Sequence, residues 1–170
     1  MSRANPPLRV LFVCTENAAR SQIAEALLHH KGRGAFHVAS AGSHPARHVH
    51  PIVVDVLGEQ GIDWNRRVPK GFDAVAGQTW DLIITLCDRA REQCPAFPGQ
   101  PVYAHWGMPD PSRVIGDAVA KRHAFADAVL YLRQRIDFLL LIPIEKLERA
   151  ALEQRIKAAL EEQTADGAPD

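Results

Sequence analysis

The sequence contains few cysteines and no excess of either charge. It has three cysteines in 170 residues, and its 20 Lys and Arg residues are matched by 20 Asp and Glu residues. A balanced charge gives no global basic field of the kind that collects nucleic acid or an anionic membrane surface. Nucleic acid and membrane are therefore not expected as partners.

Long apolar runs are missing as well. The segment MSRANPP lacks the apolar stretch of a signal peptide, and no run approaches the roughly 20 residues that span a bilayer. The most apolar late segment, residues 139–142, is short and is followed by Pro143. These features favour a cytoplasmic protein, and in that compartment cysteines are more often reduced, reactive or redox-cycling than structural.

What the sequence does contain is an alternation of short apolar runs with segments of helical periodicity. This pattern predicts an α/β fold, here a single-domain open four-stranded parallel sheet with helices on both faces. The predicted strands are residues 8–13, 36–41, 80–86 and 101–106, and the predicted helices are one from Arg20 to about Gly32 and two at residues 49–60 and 119–141.

Beyond Pro143 the chain becomes polar. Residues 144–162 are compatible with an amphipathic helix. We therefore divide the chain into a domain at residues 1–143 and a C-terminal helical extension at residues 144–170, whose end we expect to fray. The sequence leaves open whether this extension packs on the domain or contacts a second copy.

The first strand is followed by the motif CTENAARS, in which Cys14 and Arg20 are six positions apart. A loop between a strand and a helix directs backbone N–H groups and the positive end of the helix dipole at one point. We expect an oxyanion there, with Arg20 contacting two of its oxygens, Cys14 as a thiolate of lowered pKa and Ser21 donating to it. The predicted oxyanion-binding residues are Thr15, Glu16, Asn17, Ala18, Ala19 and Arg20.

Two further features follow predicted strands, and both are expected at the same sheet edge as Cys14. The carboxyl ends of parallel strands lie on one side, where ligands of open α/β sheets bind. Cys87 ends the third predicted strand, and Asp110 stands between two prolines after the fourth. Prolines restrict the backbone, so this loop can hold a carboxyl group in place. An ordinary turn is the alternative for Pro-Asp-Pro.

Cys87 and Cys94 are separated by six mostly polar residues. A structural zinc site is disfavoured, because the spacing is wider than that of tight cysteine pairs and no matching histidine pair is evident. Two interpretations remain. In the first, the segment is disordered or a plain polar turn. In the second, Cys87 attacks a sulfur adduct on Cys14, and Cys94, on a short mobile segment, then moves the disulfide outward.

Four segments together resemble a known family. CTENAARSQIAEALL, VASAGSHPA, DLIITLCDRAREQCP and HWGMPDPS are similar to the low-molecular-weight protein tyrosine phosphatase fold family and, within it, to its thioredoxin-coupled arsenate reductases. The resemblance extends from about residue 8 to residue 141. The chain departs from the pattern at Glu16, where a glycine is common, and at Ala19, where some members carry a further cysteine.

The resemblance implies a reaction and a role for each cysteine. Cys14 attacks arsenate, Cys87 attacks Cys14 with release of arsenite, and Cys94 resolves that bond to leave a Cys87–Cys94 disulfide. Asp110 is implied as the general acid. No tightly bound cofactor is implied; the reductant is an external thiol protein, thioredoxin by resemblance, with glutaredoxin or another small thiol system as alternatives.

The resemblance also bears on a group of polar residues near the loop. Asn17, Glu25 and Ser40 fall where related reductases hold a potassium ion or an equivalent hydrogen-bond network, and the sequence leaves both open. The histidines in SHPARHVH are interpreted as solvated surface rather than a metal site. The surface histidines are His44, His48 and His50, and no role is assigned to Trp64, Arg66 or Arg67.

Two other functions remain open at this point. A protein tyrosine phosphatase needs only Cys14, because water hydrolyses its phospho-cysteine, so the pair Cys87 and Cys94 favours the reductase. A non-catalytic module that binds an oxyanion is the second alternative.

Overall fold

The computed structural model describes residues 6–166. Strands and helices alternate along the chain, as the apolar pattern predicts. The elements are β1 (Leu8–Cys14), α1 (Arg20–Gly32), β2 (Phe36–Gly42), α2 (Pro51–Glu59), β3 (Leu82–Thr85), α3 (Asp88–Gln93), β4 (Val102–His105), α4 (Ala118–Leu141) and α5 (Ile144–Asp166).

The four strands form one parallel sheet in the order β2-β1-β3-β4. β1 lies in the interior and pairs on both sides, with Val13 opposite Ala41 in β2 and Thr85 in β3. The switch in strand order therefore falls beside β1, whose carboxyl end carries Cys14. The predicted fold class is confirmed.

The core has two layers because side chains alternate across β1. Phe12 and the neighbouring side chains of its face pack with α1, α2 and α4. Leu11 and Val13 point to the opposite face, where Trp80 and Phe97 cover them. A strand buried on both faces is nearly continuously apolar, which explains the run LRVLFV.

One local prediction is wrong. Residues 88–93, for which a plain polar turn was one interpretation, form the helix α3. Cys87 caps this helix, since its Sγ accepts a hydrogen bond from the Ala90 amide at 3.4 Å. The strand before it is shorter than predicted, because Trp80 and Asp81 precede β3 rather than begin it.

The predicted C-terminal helix is present as α5. Its first turns pack on the domain, with Leu147 against the main core and Ala151 buried. Leu152, Ile156 and Leu160 are exposed further along. Residues 167–170 of the expected frayed end lie outside the described part of the chain. Within residues 6–166, none of the helices combines the length and apolarity needed to span a membrane.

Candidate active site

The loop between β1 and α1 curls around the Cys14 sulfur. Asn17 adopts a positive φ of 51°, a left-handed conformation that asparagine tolerates better than most residues. This turn brings the Asn17 amide to 3.3 Å from Cys14 Sγ, to which it donates. Cys14 is buried, with 2% of its surface exposed.

The end of β2 holds the loop from outside. The Ser43 amide donates to the Cys14 carbonyl at 3.2 Å, and the His44 amide donates to the Thr15 carbonyl at 2.8 Å. A Cβ atom at Gly42 would lie 2.5 Å from the Thr15 oxygen and 2.8 Å from the Asn17 nitrogen. Only glycine permits this close approach.

Ser21 connects the loop to the thiol. Its Oγ lies 2.7 Å from Cys14 Sγ and accepts a hydrogen bond from Asn17 Nδ2 at 2.8 Å. Because Asn17 supplies one proton to this oxygen, the hydroxyl's own proton is free to point at the sulfur. Ser21 is therefore placed to donate to a thiolate, as the motif predicts.

The electrostatics of Cys14 differ from the expectation. Burial raises the pKa of the Cys14 thiol above its usual range. The Ser21 hydroxyl, the Ser21 and Asn17 amides and the Arg20 charge all act to lower this pKa, but burial outweighs them. Burial thus favours the neutral thiol, and the prediction of a net lowered pKa is wrong in sign.

A narrow pocket of about 30 Å³ opens above the sulfur. Glu16, the departure from the family pattern, is exposed and stands at its rim. Its carboxylate is therefore accessible to solvent. The pocket is lined by Cys14, Glu16, Ala18, Ala19, Arg20, His50, Asp110 and Ser112.

Arg20 and Asp110 meet inside this pocket. Arg20 Nη2 lies 3.6 Å from Asp110 Oδ2, and Arg20 Nη1 donates to the Met108 carbonyl at 3.2 Å. The other oxygen of Asp110 accepts hydrogen bonds from the Ser112 amide at 2.9 Å and the Ser112 hydroxyl at 2.7 Å. The Pro-Asp-Pro loop thus holds its carboxyl group in the pocket that Cys14 also lines.

The sequence predicts a surface position for His50, and the structure contradicts this. Its Nδ1 accepts a hydrogen bond from the Ile52 amide at 3.2 Å and so caps α2, while its ring packs 4.6 Å from the Phe125 ring, centroid to centroid. Burial lowers the pKa of His50, and the Asp110 charge opposes this. His44 and His48 are exposed, as predicted.

Asn17 uses every hydrogen-bonding group of its side chain. Its Nδ2 donates to Ser21 and to Ser40 Oγ, the latter at 2.9 Å. Its Oδ1 accepts from Gln22 Nε2 at 3.0 Å and from the Lys70 amide at 2.9 Å. Both lone pairs of this oxygen are therefore occupied by donors.

Of the predicted Asn17, Glu25 and Ser40 group, Asn17 and Ser40 are joined directly by a hydrogen bond. The Asn17 side-chain oxygen already accepts from two donors. A cation already stands nearby, since Lys70 Nζ lies 3.7 Å from Glu25 Oε1. Among the described residues, no three His, Cys, Asp or Glu side chains are grouped to hold a metal.

The segment from Trp64 to Lys70 supports the loop, which the sequence did not indicate. Trp64 is 2% exposed, and its Nε1 donates to Gln22 Oε1 at 2.9 Å. The Arg67 guanidinium lies 4.0 Å from the Trp64 ring centroid. A tryptophan in a polar segment was the one available signal, because a buried indole N–H needs a partner.

Cys87 lies beside the loop, whereas Cys94 does not. Cys87 Sγ is 3.3 Å from Thr15 Oγ1, since β3 pairs with β1 and both strands end at this edge. Cys94 is half-buried at the other end of α3, where burial raises its pKa to about 11. It lines a separate groove of about 410 Å³ with Tyr103 and His105. All three cysteines are unbridged.

Arsenate reductases are prominent among proteins of similar sequence. The chain is 36% identical to the arsenate reductase of Halalkalibacterium halodurans over 107 residues, 63% of this chain and 76% of the relative. It is 31% identical to the glutaredoxin arsenate reductase of Synechocystis sp. over 103 residues, 61% of this chain and 78% of the relative.

Arsenate reductases are also found among the solved structures to which this chain is similar. A thioredoxin-dependent arsenate reductase of Corynebacterium glutamicum matches 87% of this chain with a TM-score of 0.62 and 29% identity, and the match spans 65% of that chain. An arsenate reductase in a phosphate-binding state matches 78% of this chain and 95% of its own, with a TM-score of 0.67 and 26% identity.

The resemblance seen in the motifs is therefore confirmed. The family model of the low molecular weight phosphotyrosine protein phosphatases matches residues 9–114, which include Cys14, Arg20, Cys87 and Asp110. This match covers more than half of the chain. The protein belongs to the low molecular weight phosphotyrosine protein phosphatase family.

Proposed function

We propose that the protein is an arsenate reductase that acts through Cys14, Cys87 and Cys94. One observation carries the proposal: Cys87 lies within 3.3 Å of Thr15, in the loop that surrounds Cys14. A phosphatase of this family needs no second thiol at that place. The names of the similar proteins support the same activity.

In the first step Cys14 transfers its thiol proton to an oxygen of the bound arsenate dianion and attacks the arsenic as a thiolate. A sulfur–arsenic bond forms, and one oxygen leaves as water after Asp110 gives it a proton. Arg20 and the loop amides neutralise the negative charge on the remaining oxygens. Entry of the anion displaces the carboxylate of Asp110 from Arg20, with which it is paired at 3.6 Å in the structure.

In the second step Cys87 attacks the Cys14 sulfur. A disulfide forms, the sulfur–arsenic bond breaks, and its electron pair remains on arsenic, which is reduced from the pentavalent to the trivalent state and leaves as arsenite. Cys94 then attacks Cys87 and restores Cys14 as a thiol. The product is a Cys87–Cys94 disulfide.

The third step, in which Cys94 attacks Cys87, requires a change in the conformation of α3. Cys87 and Cys94 cap opposite ends of this helix, and seven residues at 1.5 Å rise place their Cα atoms about 10 Å apart. A disulfide needs Cα atoms at roughly 4.4–6.8 Å. The helix must therefore unwind when the bond forms. Six residues make a marginal helix, so the cost is small.

An external dithiol protein then reduces the Cys87–Cys94 disulfide. Thioredoxin is the proposed reductant, by similarity to the thioredoxin-dependent enzyme, and glutaredoxin is the alternative that the Synechocystis relative supports. Both systems belong to a reducing compartment, so the proposed location is the cytoplasm. No resident cofactor takes part in these steps.

A second candidate function is hydrolysis of aryl phosphates. The pocket favours it, because Cys14, Arg20 and Asp110 are the groups that a phospho-cysteine mechanism uses. This activity needs neither Cys87 nor Cys94. The two functions are therefore separable by substitution of those two cysteines.

The test is NADPH oxidation by the protein with arsenate, thioredoxin and thioredoxin reductase. We expect multiple turnovers from the wild type and none from Cys87→Ser or Cys94→Ser, both of which keep their aryl phosphatase activity as an internal control for folding. Peptide mapping after arsenate treatment should find the Cys87–Cys94 disulfide. Undiminished turnover by Cys87→Ser would refute the thiol relay.

A further inference from the structure

The proposed reaction leaves one buried charge without a role. Glu25 lies in α1 behind the loop and is 5% exposed. Burial raises the pKa of this carboxyl group, and the charges of Lys70 and Arg67 and the Ser40 amide oppose that shift. A buried carboxylate is costly unless a counter-charge compensates it.

We propose that Lys70 is the fixed counter-ion of Glu25 and a positioning residue that keeps the Cys14 loop in its anion-binding form. Its ammonium group serves where a bound monovalent cation would otherwise be needed. The inference rests on the proposed oxyanion pocket, but it does not depend on which anion reacts there.

Both the main chain and the side chain of Lys70 are anchored. Its amide donates to Asn17 Oδ1 at 2.9 Å, and its carbonyl accepts from the Gly42 amide at 2.9 Å. Its Nζ lies 3.7 Å from Glu25 Oε1. Lys70 therefore ties α1 and the end of β2 to the loop.

Two more hydrogen bonds lead from Lys70 to the sulfur. Asn17, which accepts from Lys70, donates through Nδ2 to Ser21 Oγ at 2.8 Å. Ser21 Oγ in turn lies 2.7 Å from Cys14 Sγ. Because Asn17 sits in the left-handed region, its conformation depends on these partners. A shift of Lys70 would thus be felt at the thiol.

No nearer cation competes for this role among the described residues. Arg67 also acts on Glu25 electrostatically, but its guanidinium stacks over Trp64. The ion pair with Glu25 is made by Lys70. The wild-type protein should therefore bind anions equally well with or without potassium.

The first experiment measures binding of inorganic phosphate by calorimetry to the full-length protein. We expect the same Kd in KCl and in choline chloride at equal ionic strength. Lys70→Met should weaken binding on the order of tenfold, whereas Lys70→Arg, which keeps the charge, should stay close to wild type. Potassium-dependent binding by the wild type, or wild-type affinity in Lys70→Met, would overturn the proposal.

A double variant separates the charge pair from a general packing role. Lys70→Met combined with Glu25→Gln removes both charges, and we expect it to regain most of the phosphate affinity and of the thermal stability lost in Lys70→Met. In the double variant the pH dependence of Cys14 alkylation should return toward that of the wild type, together with the phosphate affinity and the thermal stability. A double variant no better than Lys70→Met, even where that single variant folds poorly, would refute the counter-ion role. Phosphate binding does not depend on reductase activity. A failure of the proposed function would therefore be seen in a different experiment, as the absence of arsenate turnover.

Discussion

The Asp110 carboxylate lies 3.6 Å from Arg20 Nη2, so the proposed general acid and the proposed anion-binding guanidinium form an ion pair. An oxyanion must compete with Asp110 for Arg20. A neutral side chain in place of the Asp110 carboxylate would not compete with the anion for Arg20.

Asp110→Asn should separate binding from catalysis. Loss of the carboxylate charge frees Arg20, so the Kd for inorganic phosphate should fall, while loss of the proton donor should lower kcat for arsenate about 10²- to 10⁴-fold. Calorimetry and steady-state kinetics measure the two effects. The matched control is Asp117→Asn, at the cap of α4 and away from the pocket, which should change neither. Weaker phosphate binding by Asp110→Asn would contradict the competition.

Ser21→Ala should raise the pKa of Cys14 further. Burial already raises this pKa, and the Ser21 hydroxyl is the first of the groups that lower it. Removal of this hydroxyl leaves fewer hydrogen-bond donors to the thiolate. Alkylation of Cys14 by iodoacetamide should therefore reach a given rate only at a higher pH. In phosphate-free buffer, each unit of pKa lowers the rate about tenfold at neutral pH.

The control for this variant is Ser43→Ala, whose hydroxyl bonds to the neighbouring His44 and not to the thiol. Its alkylation profile should match the wild type. A Ser21→Ala profile at the wild-type position would show that the 2.7 Å contact does not stabilise the thiolate.

His50 should make the stability of the fold depend on pH. Burial lowers its pKa, with Lys121 acting in the same direction and Asp110 against it. The folded state thus binds a proton less readily than the unfolded chain, whose histidine has a pKa of about 6.5. The contribution of neutral His50 to the stability of the fold is fully present above the pKa of the unfolded histidine. It is lost as the pH falls through the pKa of His50 in the folded state.

Urea unfolding at several pH values tests this dependence. His50→Asn keeps a good helix cap but cannot titrate, so its stability should decline less than that of the wild type below about pH 6.5. His50→Ala loses the cap as well and should cost about 1 kcal/mol at neutral pH. If the stability of His50→Asn and that of the wild type depended on pH in the same way, titration of His50 would not contribute to the stability of the fold.

The features that sequence predicted are the local ones. The apolar run before Cys14, the spacing to Arg20 and the periodicity of α1 lie within one strand–loop–helix unit, so periodicity and spacing predicted them together. The parallel direction of the four strands was predicted because strands that alternate with helices form parallel sheets, whereas their order was seen only in the structure. The position of Cys87 at the same sheet edge as Cys14 was predicted correctly for the same reason.

The features that sequence missed depend on contacts between distant residues. Lys70 reaches Asn17 across 53 positions, and Trp64 reaches Gln22 across 42. No local pattern marks either contact. His50 looked like one of three surface histidines, and only its contact with Phe125 and the start of α2 sets it apart. α3 forms because Cys87 caps it at the end of a buried strand.

Gly42→Ala should damage the anion site through the backbone alone. The added Cβ would lie 2.5 Å from the Thr15 carbonyl oxygen, so β2 and the loop must move apart. We expect a loss of about 1–3 kcal/mol in the free energy of unfolding and weaker binding of inorganic phosphate. Gly58→Ala is the matched control, because nothing lies within 4 Å of its new Cβ in α2; it should stabilise the protein by about 0.5–1 kcal/mol. Urea unfolding and calorimetry measure both quantities. Wild-type phosphate affinity in Gly42→Ala would mean that the loop does not need this contact to bind an anion.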